Sequence, residues 1–265
     1  MNWQRNIEVM TPLFNRGAYQ NTPEIRVPSI RGIVRWWFRA LGGSPDEEKQ
    51  VFGGMKKFGR QFNNDVMASK LVFRVSKIHA RPAIPFPPTL PHKQGREASP
   101  QAAFASGATF KLGIFTRFGS LPSGLEVKVT NALEVWLLLG ALGLRANRSG
   151  GNVWPTDGTQ AKSPAELRDR LNALGCNWPV MIAGGEAGST IEQLRAAATD
   201  TVNGCDWVFG YARGRDRLAS TLKFKIARLD GVPRLLVFAP DQRVLEQAIR
   251  ELRGHKCRPE TWRHL

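Results

Sequence analysis

Guanidinium groups dominate the chemistry this sequence offers. In PEIRVPSIRGIVRWWFRALGG (23–43), Arg31, Arg35 and Arg39 recur every fourth residue beside the pair Trp36–Trp37, and Arg26 precedes them. The planar fork of arginine grips phosphate oxygens in pairs and stacks on bases, so this is chemistry for a nucleic-acid strand. A second cluster, RANRSGG (145–151), sets Arg145, Asn147 and Arg148 against Gly150 and Gly151, where missing side chains would let a phosphate backbone come close. A third, YARGRDR (211–217), adds Arg213, Arg215 and Arg217. Backbone amides near Ser29 and Ile30, at the start of a helix, would accept a phosphate.

Catalytic groups are sparse. The four histidines, His79, His92, His255 and His264, show no metal-like spacing and no adjacent carboxylate. His79 and His92 flank a proline-rich stretch and are the candidates for acid–base cleavage of RNA. Asp65, in QFNNDVM, is the candidate for cleavage through a loop aspartate. The glycine-bearing runs GGMKKFG (53–59) and GGEAGS (184–189) lack the strand, spacing and lysine of a phosphate-binding loop and read as turns. Asp46, Glu47 and Glu48 read as a solvated turn, so no metal and no cofactor is expected.

A helix must carry the first ridge. Ile30, Ile33, Val34, Trp37, Phe38 and Leu41 fall at the i, i+3, i+4, i+7 spacing of a half-buried helix, which puts Arg31, Arg35 and Arg39 on another face. Ser29 reads as its N-cap, Pro28 as extended chain just before it, and Gly42–Gly43 as its stop. Trp37 lies on the apolar face and reads as core. Trp36 lies at its edge, where core packing and stacking on a base both remain open. Like charges four apart repel, and the neighbouring sequence offers little to offset them. Alanine at Arg31 and Arg35 is therefore expected to leave stability nearly unchanged.

Around this helix the chain reads strand (4–11), helix, a glycine-rich loop or broken helix (51–65), strand (70–78), proline-rich stretch (80–101), strand (107–119), helix (about 130–144) and a last strand near Asn152–Trp154. That β-α-β-β-α-β order is the split βαβ of ferredoxin-like folds. The proline-rich stretch reads as either an ordered arm or a mobile insertion. The second half supplies a helix capped by Ser163, a strand at 178–184, a helix near 189–202, a hairpin turning at Asp230–Gly231, and a helix capped by Asp241. No short repeat stands out, and the two halves show no mutual likeness.

Lys+Arg 38 against Asp+Glu 22 gives a formal charge of +16 and a pI near 10.6, the balance of a protein that meets a polyanion. No apolar run is long enough to span a membrane, and the polar N-terminus is no signal peptide. Three scattered cysteines, Cys176, Cys205 and Cys257, fit a reducing cytoplasm and buried, unpaired thiols.

The segment TPLF…GAYQNTPEIRVPSIRGIVRWWFRALGG resembles the N-terminal signature of a RAMP-superfamily subunit of type III-B (Cmr-type) CRISPR effector complexes. The matching features are Thr-Pro after the first strand, a glycine loop, Glu-Ile-Arg, then Ser-Ile-Arg-Gly opening an Arg-x-Trp-x-Arg helix. VFGG (51–54) resembles the family's Phe-Gly step, LLLGALGLRANRSGGNV its glycine-rich loop, and RDRLASTLKFKI (215–226) a segment of its C-terminal half. The resemblance implies an α+β chain of tandem ferredoxin-like (RRM-like) domains, 1–155 and 156–265, with antiparallel sheets and helices on one face. It implies a non-catalytic, cytoplasmic subunit that binds guide RNA and complementary target RNA among other RAMP subunits. Its place would be near the guide 3′ end, capping the subunit filament in antiviral defence. Two alternatives remain: a metal-independent guide-processing endoribonuclease of the same superfamily, and a filament backbone subunit that cleaves target RNA.

Overall fold

A computed structural model describes residues 1–265 except 59, 60, 118, 186, 187 and 201–203, and the side chains of 55–58, 61–65 and 213 also lie outside what it describes. In chain order the first half comprises β1 (Asn2–Val9), α1 (Val27–Ala40), α2 (Pro45–Phe52), β2 (Gly54–Phe58), β3 (Gln61–Met67), β4 (Leu71–His79), β5 (Ala108–Thr116), α3 (Leu125–Leu139) and β6 (Val153–Pro155). Its sheet runs β4-β5-β1-β6. β1 pairs antiparallel with β5, from Asn2 opposite Phe115 to Val9 opposite Ala108, and with β6 on its other side. Strands alternate faces, and Trp3, Ile7, Phe110, Leu112 and Ile114 bury one face beneath Val34, Phe38, Val129 and Leu133 of the paired helices α1 and α3.

The second half adds α4 (Pro164–Ala173), β7 (Val180–Gly184), α5 (Ile191–Thr199), α6 (Asp206–Phe209), β8 (Tyr211–Arg213), β9 (Asp216–Leu218), β10 (Lys223–Leu229), β11 (Val232–Phe238), α7 (Gln242–Glu251) and β12 (Arg263–His264). The sheet order β10-β11-β7-β12 repeats the first. Both sheets follow the ferredoxin-like order, and in each a short helix and a hairpin are inserted between the first helix and the second strand. The turn at Asp230–Gly231 has φ of 53° and 76°, the doubly positive pair of a two-residue hairpin turn. Asp241 Oδ1 accepts from Val244 N at 3.2 Å, and Ser163 Oγ from Glu166 N at 3.2 Å.

Several sequence readings need correction. α1 begins at Val27, not after Ser29: Pro28 sits inside the first turn, where a missing N–H costs nothing, and Ser29 Oγ donates to Asn15 Oδ1 at 3.1 Å. The supposed loop 51–65 is the end of α2 plus the β2–β3 hairpin, and Asp65 lies on β3 with its side chain outside the described residues. α3 starts and ends about five residues early. It ends at Gly140, whose backbone is extended and where a side chain would strike Trp136, and Lys225 Nζ takes carbonyls at its end. The proline-rich stretch is ordered. Backbone bonds join Leu90 N to Ala98 O and Gln101 N to Pro87 O, while buried Arg195 donates to Pro88 O at 2.8 Å and His92 Nδ1 meets Thr199 Oγ1 at 3.0 Å. Burial holds the His92 imidazole below its usual range.

The halves do share a repeat. Val51-Phe52-Gly53 ends α2 and Val208-Phe209-Gly210 ends α6, while Ala68-Ser69-Lys70-Leu71 and Ala219-Ser220-Thr221-Leu222 close the two hairpins. Gly53 and Gly210 have φ of 72° and 69°, and a side chain on either would collide with the returning strand's backbone. Ser69 Oγ bonds Leu71 O at 3.0 Å and Ser220 Oγ bonds Leu222 O at 2.5 Å, and each hydroxyl also reaches the helix-end carbonyl, Val51 O or Val208 O. Hairpins of unequal length hide the correspondence from any search at fixed spacing.

Candidate nucleic-acid interface

Helix α1 presents its three ridge arginines to α2 and the first hairpin. Arg31 Nη2 donates to Phe52 O. Burial and the neighbouring Arg35 charge lower its pKa. Arg35 places Nε 2.7 Å and Nη2 2.6 Å from Glu48 Oε1, and Arg39 Nη1 lies 3.1 Å from both oxygens of the same carboxylate. Glu48 is buried, whereas the Arg35 and Arg39 side chains remain 37% and 50% exposed. Glu48 is therefore the missing counter-charge, not part of a solvated turn: the Ser44 capping box starts α2 and carries it under the ridge. Removing it by Glu48→Gln is expected to cost about 1–3 kcal/mol, below the full penalty for breaking a buried pair because both arginines can rehydrate. Urea unfolding measures this. Alanine at Arg31 and Arg35 is accordingly expected to destabilise, because it removes the Phe52 O donor and one partner of buried Glu48, which the sequence reading did not anticipate. Arg26 folds back on the loop before it, Nη1 donating to Arg16 O at 3.1 Å.

The 145–151 loop divides into surface and interior. Arg145 is exposed. Arg148 is buried with its guanidinium between Phe209 and Phe224, donating to Leu222 O and Phe209 O at 3.2 Å each, and burial pushes its pKa down to about 10. It serves the second elbow as Arg31 serves the first. Gly150 and Gly151 are buried, and their amides bond Arg145 O and Pro12 O at 3.0 Å. A side chain on Gly151 would strike Leu142 O, so these glycines make room for the protein's own chain, not for phosphate. In the second hairpin Arg215 and Arg217 are exposed, and the Arg213 side chain lies outside the described residues.

Three depressions run side by side here. The first, about 420 Å³, lies between the start of α1 and the first hairpin and includes Arg31 and Arg35. The second, about 220 Å³, is walled by Trp36, Trp37, Gly140, Asn147, Ala219 and Lys223. The third, about 560 Å³, lies between residues 143–148 and the second hairpin and includes Arg145. The second and third share Ala146 and Asn147, and the first lies along the same helix α1 through Arg31, Gly32 and Arg35. The fold thus brings the arginine helix, the 145–148 turn and the second hairpin to one track with exposed guanidinium groups along it, and leaves Arg148, Gly150 and Gly151 beneath.

The RAMP superfamily model matches residues 6–154, more than half of the chain. This chain belongs to the RAMP superfamily. Two curated relatives from Pyrococcus furiosus match over short segments. CRISPR system Cmr subunit Cmr1-2 is 38% identical over 66 residues, 22% of this chain and 35% of that protein. Cmr subunit Cmr1-1 is 49% identical over 47 residues, 14% of each chain. The matched segments therefore span well under two thirds of either relative. Among solved structures, apo Cmr1 from Pyrococcus furiosus aligns with a TM-score of 0.59 at 19% identity, covering 90% of this chain and 87% of that one. A chain of the type III-B Cmr-beta complex bound to cognate target RNA aligns at 0.55 and 11% identity, covering 89% and 93%. At these identities the likeness is one of fold.

Within this RAMP fold, sequence reading missed Glu48, Lys223 and Lys225. Glu48 stands in plain sight after the helix, but no local pattern shows that α2 carries it back under the ridge. Lys223 donates to Asn147 Oδ1 at 3.0 Å and stands 4.6 Å from the Trp36 ring centroid, and burial together with the Arg148 charge pushes its pKa down to about 8. Nothing in KFKIARL signals that its lysines face a covering layer. Among the described residues, no helix is long and apolar enough to cross a membrane.

Proposed function

We propose that this RAMP chain is a non-catalytic, RNA-binding structural subunit of a Cmr-type (type III-B) CRISPR ribonucleoprotein. It holds guide RNA and complementary target RNA near the guide 3′ end and caps the subunit filament beside other RAMP subunits. The observation that carries this is the group of depressions around α1, the 143–148 segment and the two hairpins, lined by Arg31, Arg35 and Arg145, with Arg39 exposed on the same ridge of α1. The matched Cmr1 relatives and the +16 charge support it. A strand bound mainly through phosphates releases counterions, so log K should fall with log salt at a slope of about −0.7 per phosphate neutralised. Arg215→Gln, at an exposed hairpin position, should reduce that slope by about 0.7 if it touches one phosphate. A slope near zero in the wild type rules the reading out. In the same samples a labelled guide precursor should stay intact. Cleavage abolished by His79→Ala would move the chain to the endoribonuclease class.

A further inference from the structure

The middle depression differs from its neighbours. Its walls are aromatic and aliphatic, from Trp36, Trp37, Ile33, Leu139 and Phe238, and its polar groups are few. Trp36 meets Trp37 and Trp178 edge to face, with centroids 5.0 and 5.8 Å apart, so its orientation is fixed by packing. Trp37 is buried, yet its Nε1–H has no hydrogen-bond partner. A side chain at Gly140, another wall residue, would stand 2.9 Å from that nitrogen, so Gly140 packs against it and closes it off. Asn147 and Lys223 add a second polar edge, with Lys223 Nζ also donating to Ser220 O at 3.3 Å.

We propose that this pocket takes one unstacked nucleobase of the bound RNA strand, lodged against Trp36, with Asn147 and Lys223 as its polar edge. The inference rests on the RNA-binding reading above and deepens it. About 220 Å³ suits a single planar heterocycle and excludes a base pair. The position suits the same ligand, because the depressions on either side contain the arginines that would hold the flanking phosphates. An aromatic wall accepts any base face, so occupancy depends on a base being present more than on which base it is. The pocket also lies between the two ferredoxin-like units, with α1 on one side and β10 and β11 on the other, so a base seated there bridges them.

The test is an abasic scan. A short single-stranded RNA is made with one base removed at each position in turn, and each version is titrated against the full chain. Wild type should show one position whose base is worth about tenfold in affinity, the effect of a single base on an aromatic side chain. Ala219→Phe plugs the pocket from an exposed wall residue, and Trp36→Ala removes the stacking ring. Both variants should bind more weakly by a similar factor, lose that position's sensitivity and keep the wild-type salt slope. A flat scan in wild type, or an unchanged scan in Ala219→Phe, overturns the pocket while the salt slope still stands for RNA binding. Absence of any binding at low salt overturns the RNA reading and this inference with it.

Discussion

Trp37→Ala is expected to lower the unfolding free energy by about 3–5 kcal/mol, the range for deleting a large buried aromatic side chain. Trp37 is 1% exposed on the inner face of α1. Its ring stacks on Phe238 of β11 at 6.4 Å and 27°, and lies 5.2 Å from Trp178. It therefore joins a helix of the first sheet to a strand of the second, and truncation opens a cavity where neither unit can collapse alone. Trp37→Phe keeps most of the apolar volume and should recover more than half of the loss. Urea or thermal unfolding followed by far-UV circular dichroism reads both variants. A loss below about 1 kcal/mol for Trp37→Ala is the value of a surface substitution and would contradict the core assignment.

Lys225→Met should cost about 3 kcal/mol. Lys225 is fully buried, and its Nζ donates to Leu137 O at 2.6 Å, Gly140 O at 2.8 Å and Val153 O at 2.5 Å. Two of those carbonyls belong to the end of α3, which has no continuing turn to satisfy them. Methionine fills the volume but leaves buried carbonyls without this donor, each worth about 1–3 kcal/mol, and the relief of desolvating an amine offsets only part of that. The pH dependence carries the sign. Burial holds the Lys225 amine well below the usual lysine range, so between its folded value and about 10.4 the unfolded chain holds the extra proton. Stability from this group therefore rises with pH through that window and is lost as pH falls. The wild-type advantage over Lys225→Met should widen from neutral pH to about pH 10. An advantage that narrows instead would mean that the folded state keeps the proton.

Much of this was legible from periodicity alone. The strands around Ile7, Phe73 and Leu112, the buried face of α1 and the Asp230–Gly231 turn all follow from local patterns that tertiary packing reinforces. What the sequence hid was set by distant partners. Charge repulsion along Arg31, Arg35 and Arg39 is resolved by Glu48, which a capping box positions from the next helix. Lys225 sits in a strand whose alternation points it at solvent, and only the packing of α3 and β6 over β10 turns that face into interior. Gly150 and Gly151 looked like openings for a ligand because glycine marks close approach without saying to what. The track itself joins residues from both halves of the chain, a juxtaposition that no local pattern encodes.

The doubled elbow has a consequence for how such a chain changes over time. Each hairpin is clamped at its feet by the same parts: a helix-end Phe-Gly, a returning Ala-Ser and a guanidinium on the Phe carbonyl. Everything between the feet is outside the clamp. β2 and β3 run 5 and 7 residues, β8 and β9 only 3 each, yet the serine and glycine contacts at their feet are the same. The scaffold thus behaves as a duplicated socket with exchangeable inserts.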